Sequence, residues 1–201
     1  MPEVVTEMIF RSLVISLSRG RWLIGLIALL PALAAQAAGP TGDFAQGTWT
    51  FTAYGSATKD VSRGDSYAES GSVGVGYYFR NTLSLSAEIS GYGVQQEGED
   101  AAAGGLGIML RHHFLRGDGW SVYSQVGAGV FESSRDVPPG GTQFNFTQHT
   151  GLGFSYRLRE NVHLFTTISY FHLSNARIRG QERNPSINGI EAAVGIEFLF
   201  K

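Results

Sequence analysis

The stretch Ser72-Val73-Gly74-Val75-Gly76-Tyr77-Tyr78-Phe79-Arg80-Asn81-Thr82-Leu83-Ser84-Leu85-Ser86-Ala87-Glu88-Ile89-Ser90 decides the fold. Val73, Val75, Tyr77 and Phe79 alternate with Ser72, Gly74, Gly76 and Tyr78. Beyond Arg80-Asn81 the same rule resumes, with Leu83, Leu85, Ala87 and Ile89 set against Ser84, Ser86, Glu88 and Ser90. Side chains of an extended chain point alternately to opposite faces, so a period of two marks a strand with one apolar face. A break this short admits only an antiparallel hairpin.

The pattern extends in both directions. Trp49, Phe51 and Ala53 face away from Thr48, Thr50 and Thr52. Leu106, Ile108 and Leu110 oppose Gly107, Met109 and Arg111, and Val122, Val126, Ala128 and Val130 oppose Tyr123, Gln125, Gly127 and Gly129. Phe144, Phe146, Leu152, Phe154 and Tyr156 mark a sixth segment. Val162, Leu164, Ile168 and Tyr170 mark a seventh, and Ala192, Val194, Ile196, Phe198 and Phe200 an eighth. Short turns follow segments two, four and six, at Arg80-Asn81, Leu115–Gly119 and Leu158–Asn161. Longer connections are expected at 56–70, 95–101, 132–142 and 175–188. The expected fold is all-β: an eight-stranded antiparallel up-and-down transmembrane β-barrel, apolar outside and polar within. Aromatic residues near the strand ends suit interfacial girdles. A soluble barrel of lipocalin type would show the same alternation with its faces exchanged. Lys201 after Phe200 departs from the aromatic terminus common in membrane barrels.

Composition agrees. Of 201 residues, 16% are charged, 12% are aromatic and 27 are glycine, with no cysteine and a net charge of −2. Abundant aromatics with few charges exclude a disordered chain. The lack of cysteine excludes disulfide staples, zinc ribbons, iron–sulfur clusters and a thiol nucleophile. The charge balance gives no sign of a nucleic-acid partner. Residues 1–37 read as a cleaved secretory signal peptide: Arg11, Arg19 and Arg21, the apolar run Trp22–Leu30, then the small-x-small exit Ala35-Gln36-Ala37. Met8 is an alternative start, since Glu3 and Glu7 are unusual in such a leader. The barrel domain is then 38–201. With an even strand count both termini lie at the short-turn end and the longer loops face outward.

Chemistry concentrates where segment seven ends, in Tyr170-Phe171-His172-Leu173-Ser174-Asn175-Ala176. His172 and Ser174 are two apart on a strand, so they share a face with their Cα atoms roughly 6.6 Å apart. That face is the one of Leu164, Ile168 and Tyr170, where polar side chains are costly unless used. A serine nucleophile needs a base, and the base needs an orienting group. Glu191, opening segment eight, is the acid candidate. Strict alternation points it inward, opposite Ala192 and Val194, and a bulge at the strand start would turn it outward. The chemistry read from these residues is acyl transfer or ester hydrolysis at a lipid–water rim.

His-Leu-Ser-Asn-Ala at 172–176, Asn-Pro-x-x-Asn at 184–188 and Gly-Ile-Glu at 189–191 resemble the lipid A 3-O-deacylase (PagL) family of outer-membrane enzymes. Pro185-Ser186 stands where Pro-Gly is expected. The resemblance implies an eight-stranded barrel in the Gram-negative outer membrane that removes the ester-linked 3-hydroxyacyl chain at position 3 of lipid A. It implies Ser174 as nucleophile, His172 as general base and Glu191 as orienter. It also implies an oxyanion contact from Asn175, with Asn188 or Asn184 as a second candidate. Lipid A is then the partner, no cofactor or metal is required, and a homodimer stays open. The rival readings are a non-catalytic barrel for adhesion or solute passage, and a lipid A acyltransferase. Arg177, Arg179 and Arg183 are candidate contacts to lipid A phosphates. Glu88, Arg111, Arg157 and Glu197 are expected to form a charge network inside the barrel.

Overall fold

A computed structural model describes residues 42–62 and 66–201. The expected leader, 1–37, lies outside the described residues. A short 3-10 turn, Gly42–Phe44, is followed by β1 (Trp49–Asp60), β2 (Tyr67–Arg80), β3 (Leu83–Gln95), β4 (Ala101–Gly117), β5 (Trp120–Val137), β6 (Thr142–Arg159), β7 (Val162–Ser174) and β8 (Ile187–Phe200). Each strand pairs antiparallel with the next, and β8 closes on β1. Closure removes every sheet edge.

The faces fall as the alternation predicts. Ile168 is 65% exposed and Leu106 59%, while Thr52, Ser72, Gln125, Thr167 and Glu197 are buried inside. Val162 shares the parity of Leu164 but is buried at the start of β7. The loops at the far end depart from expectation. They span only 61–66, 96–100 and 138–141, and 175–186 alone is long. The strands run on past the outer apolar band, where apolar side chains such as Val94, Ala101 and Ile187 turn to the inner face instead. The hydrogen-bonded ladder therefore continues after the hydropathy pattern has faded.

The interior is packed in levels. At the turn end Phe44 stacks on His113 with ring centroids 3.8 Å apart and is buried with Tyr78 and Leu199. Asp43 pairs with His163 at 3.0 Å and with Arg157 at 3.2 Å. Above it Arg111 meets Glu197 at 3.3 Å and lies over the Tyr123 ring, and Tyr54 donates to Glu88 at 2.7 Å. Arg157 belongs to the rim instead of this network, because its second contact is Asp118 in the turn. At the loop end Val94, Ala101, Phe131, Val137, Phe171, Leu173 and Ile187 form an apolar cap.

Candidate active site

His172 and Ser174 project from the outer face of β7 at the loop end, both half-buried. The strand pairs Ser174 with Phe146 and His172 with Gln148 on β6, and His172 with Asn188 on β8. His172 Nε2 lies 3.0 Å from Ser174 Oγ. His172 Nδ1 lies 2.8 Å from Asn188 Oδ1. A carboxamide oxygen only accepts, so Nδ1 carries the proton and Nε2 is left to accept the serine hydroxyl. Tyr170 donates its hydroxyl to the same Asn188 oxygen at 2.6 Å, and Asn188 Nδ2 donates to Ser186 Oγ at 3.2 Å. The amide is thus held from both ends with its oxygen toward the imidazole. Tyr170, His172 and Ser174 occupy alternate positions of one strand face, a polar run that the sequence displays. Tyr170 reads there as an interfacial aromatic, so its link to Asn188 emerges only from the register of β7 against β8.

Glu191 does not join this group. Its side chain enters the barrel, 6% exposed, where Oε1 accepts from His149 Nδ1 at 3.2 Å and Oε2 from Ser56 Oγ at 3.2 Å. The β7–β8 register runs without a shift from Val162↔Phe198 to Leu173↔Ile187, so no bulge turns it outward. Alternation prevails, and the group beside His172 is Asn188, one of the two residues considered for the second oxyanion contact.

Asn175 also departs from its expected role. It is 1% exposed and closes the following loop on itself. Its Nδ2 donates to Thr142 Oγ1 and to the Arg183 carbonyl, its Oδ1 accepts from the Arg177 amide at 2.9 Å, and its own amide donates to Asn184 Oδ1 at 3.0 Å. Both side-chain protons are spent, one on β6 and one on the loop, so no donor of that side chain remains for an oxyanion. Ala176 and Arg177 follow with φ of 52° and 66°. Left-handed backbone costs roughly 1–2 kcal/mol at such residues, and the Asn175 bonds hold the chain in it. Asn184 commits its oxygen to this clasp. Arg183 meets Asp136 at 3.5 Å and donates to the Gly141 carbonyl.

A barrel with an apolar outer wall and a His–Ser pair at one rim defines a membrane β-barrel carrying the elements of a hydrolase. The family model described as lipid A 3-O-deacylase (PagL) matches residues 32–197. The chain belongs to that family, whose members are ester hydrolases acting on lipid A in the outer membrane. Comparison with curated proteins gives no match. Among solved structures, Neisserial surface protein A is 17% identical at a TM-score of 0.52, over 76% of this chain and 96% of that one. The outer membrane enzyme PagL is 18% identical at 0.49, over 74% and 98%. The N-terminal β-barrel domain of Pseudomonas aeruginosa OprF is 18% identical at 0.49, over 77% and 98%. The first of these likenesses supports the membrane-barrel fold.

Proposed function

We propose that this protein hydrolyses the 3-hydroxyacyl ester at position 3 of lipid A, with Ser174 as nucleophile, His172 as general base and Asn188 holding the imidazole. The observation that carries the reading is the continuous contact Asn188–His172–Ser174, at 2.8 and 3.0 Å, on the outer wall at the loop end. The leader 1–37 is removed on export, and the loop end faces the lipopolysaccharide leaflet.

Ser174 Oγ attacks the ester carbonyl as its proton passes to His172 Nε2. The tetrahedral oxyanion collapses, His172 returns the proton to the departing sugar oxygen, and the acyl chain remains on Ser174. A water then gives a proton to His172 and attacks the acyl-serine. The 3-hydroxy fatty acid leaves and Ser174 recovers its proton. Asn188 keeps Nδ1 protonated throughout, as the asparagine of a Cys-His-Asn arrangement does. Asn184 is the remaining asparagine from which an oxyanion contact can come, through its Nδ2.

The test is lipid A mass spectrometry on cells expressing the parent protein, Ser174→Ala or His172→Asn. The parent removes one 3-hydroxyacyl chain. Each variant should assemble as a barrel and lose at least about 10³-fold in rate, the scale on which triad members act. Full release by Ser174→Ala would refute the assignment. A gain of acyl mass with the parent would make the protein an acyltransferase.

A further inference from the structure

We propose that Glu191 serves the reaction from inside the barrel, as a positioning residue that works through His149 and not as the acid partner of His172. This rests on the reading of His172 as the base.

Strand β7 carries Tyr170, His172 and Ser174 on its outer face and Ser169 and Phe171 on its inner one. Glu191 on β8 is the register partner of Ser169, and His149 on β6 is the partner of Phe171. The 3.2 Å contact between His149 Nδ1 and Glu191 Oε1 therefore crosses behind β7, tying its two neighbours together. The Phe171 ring packs edge-on against the imidazole at 5.0 Å, under the bridge. The other carboxylate oxygen accepts from Ser56 Oγ at 3.2 Å and Thr58 Oγ1 at 3.5 Å, which extends the tie to β1. One buried carboxylate thus joins β6, β8 and β1.

The His149 end of the bridge adjoins an outer residue that flanks His172, and the Glu191 end lies on the strand that carries the other. His149 follows Gln148, which lies opposite His172 on β6, and Glu191 is three residues beyond Asn188, which lies opposite His172 on β8. By tying β6 to β8 one to three residues on the turn side of His172, the bridge holds their spacing beneath the imidazole and with it the position of the Asn188 oxygen. A polar cavity lined by Tyr54, Ser70, Glu88 and Tyr92 adjoins the carboxylate. Without His149 that cavity offers Glu191 another place to lie, and the bridge is lost.

Placing Glu191 opposite His172 instead would require β8 to slip by three residues. A slip by an odd number of residues sends every side chain to the opposite face. Val194, Ile196 and Phe198 would enter the lumen, and Glu197 would leave Arg111 for the lipid. The energetic cost of that exchange excludes it.

The experiment measures kcat and KM for lipid A deacylation in detergent by the purified full-length protein and its variants, with heat-modifiable gel mobility reporting barrel assembly. Glu191→Gln keeps an acceptor for His149 and should stay within about threefold of the parent. A triad acid changed to its amide loses about 10⁴-fold by contrast. Glu191→Ala and His149→Ala should each lower kcat about 10- to 100-fold with KM unchanged, as displaced catalytic groups do. The double variant should be no worse than either single one. In an Asn188→Ala background, Glu191→Ala should have little further effect, because the bridge acts through Asn188. Loss in Glu191→Gln down to the level of His172→Asn would make Glu191 the acid and overturn the proposal. Additive losses for Glu191 and His149, or an undiminished Glu191→Ala effect without Asn188, would reduce Glu191 to fold maintenance and overturn it equally. Should Glu191→Ala not assemble, Glu191→Gln decides alone. Full activity in Ser174→Ala would instead sink the underlying reading, an outcome separate from all of these.

Discussion

At the residue scale the decisive contact is the one between Asn188 and His172. A carboxamide oxygen fixes the imidazole tautomer as well as a carboxylate does, but it supplies a dipole where a carboxylate supplies a full charge to the imidazolium that forms during attack. In the proposed reaction Asn188 is therefore a positioning residue, and its replacements separate tautomer from charge. Asn188→Ala removes the acceptor of both Tyr170 and His172 and should lower kcat about 10²- to 10⁴-fold, the range set by loss of the orienting member. Asn188→Asp restores an acceptor in the same place and should retain activity within about threefold or raise it, because a carboxylate both orients and stabilises. Steady-state deacylation of purified lipid A reads both. An Asn188→Asp variant as inactive as Asn188→Ala would show that orientation of His172 is not what Asn188 provides. Much of this was legible beforehand. The spacing of His172 and Ser174 places them on one face, and the parity of Glu191 against Ala192 and Val194 points it inward. The missing information was lateral. Which residue of β8 stands beside His172 depends on the register across a twelve-residue loop, and no periodicity within one strand contains that register.

At the scale of elements, β7 ends in a device of its own. The strand stops at Ser174, turns through left-handed Ala176 and Arg177, and is held there by the four bonds of Asn175. Two of those bonds reach across the loop, to Asn184 and Arg183, and one reaches β6 at Thr142. Ser174, the proposed nucleophile, is thus the last residue of the strand before a loop whose base is clasped shut. Asn175→Ala leaves the Arg183 carbonyl and the Arg177 amide without their partner and should free the loop 175–186. The expected result is about a tenfold loss of deacylation, the kind of cost that follows when a reacting group is displaced. It should come with faster tryptic cleavage at Arg177, Arg179 or Arg183, in a barrel that keeps its heat-modifiable mobility. The same loss of activity with no gain in cleavage would assign Asn175 a direct part in the chemistry. The strand cores were readable from alternation, because lipid on one side and packed polar groups on the other enforce a strict period of two. The loop ends were not. At the loop end β5 runs on through Glu132-Ser133-Ser134-Arg135, where its register against β6 breaks between Glu132 and Val137 and hydropathy carries no facing information.

At the scale of the whole molecule the question is what a barrel of eight strands leaves open. Phe44 with His113, Tyr78 and Leu199 fills the turn end; Arg111 with Glu197, Tyr123 and Phe165 fills the middle; Phe131, Val137, Phe171 and Leu173 fill the loop end. A barrel of this strand number has an interior just wide enough for its own side chains, and this one uses them. The small polar cavity beside Glu191 lies between two of these levels. On the proposed function the inside serves the outside: buried pairs such as Arg111–Glu197 and His149–Glu191 brace the wall that carries Ser174 and His172. Solute passage, the rival use of such a barrel, needs the opposite arrangement. Reconstituted into planar bilayers, the protein should show no discrete conductance steps at voltages that leave the membrane intact, while the same preparation deacylates lipid A. Reproducible steps would mean that the levels part to form a continuous path, and would restore transport as a function of the fold. Their absence together with hydrolysis would fit an activity confined to the outer wall, where Ser174, His172 and Asn188 stand among Tyr170, Phe146 and Ile190 at the loop-end rim.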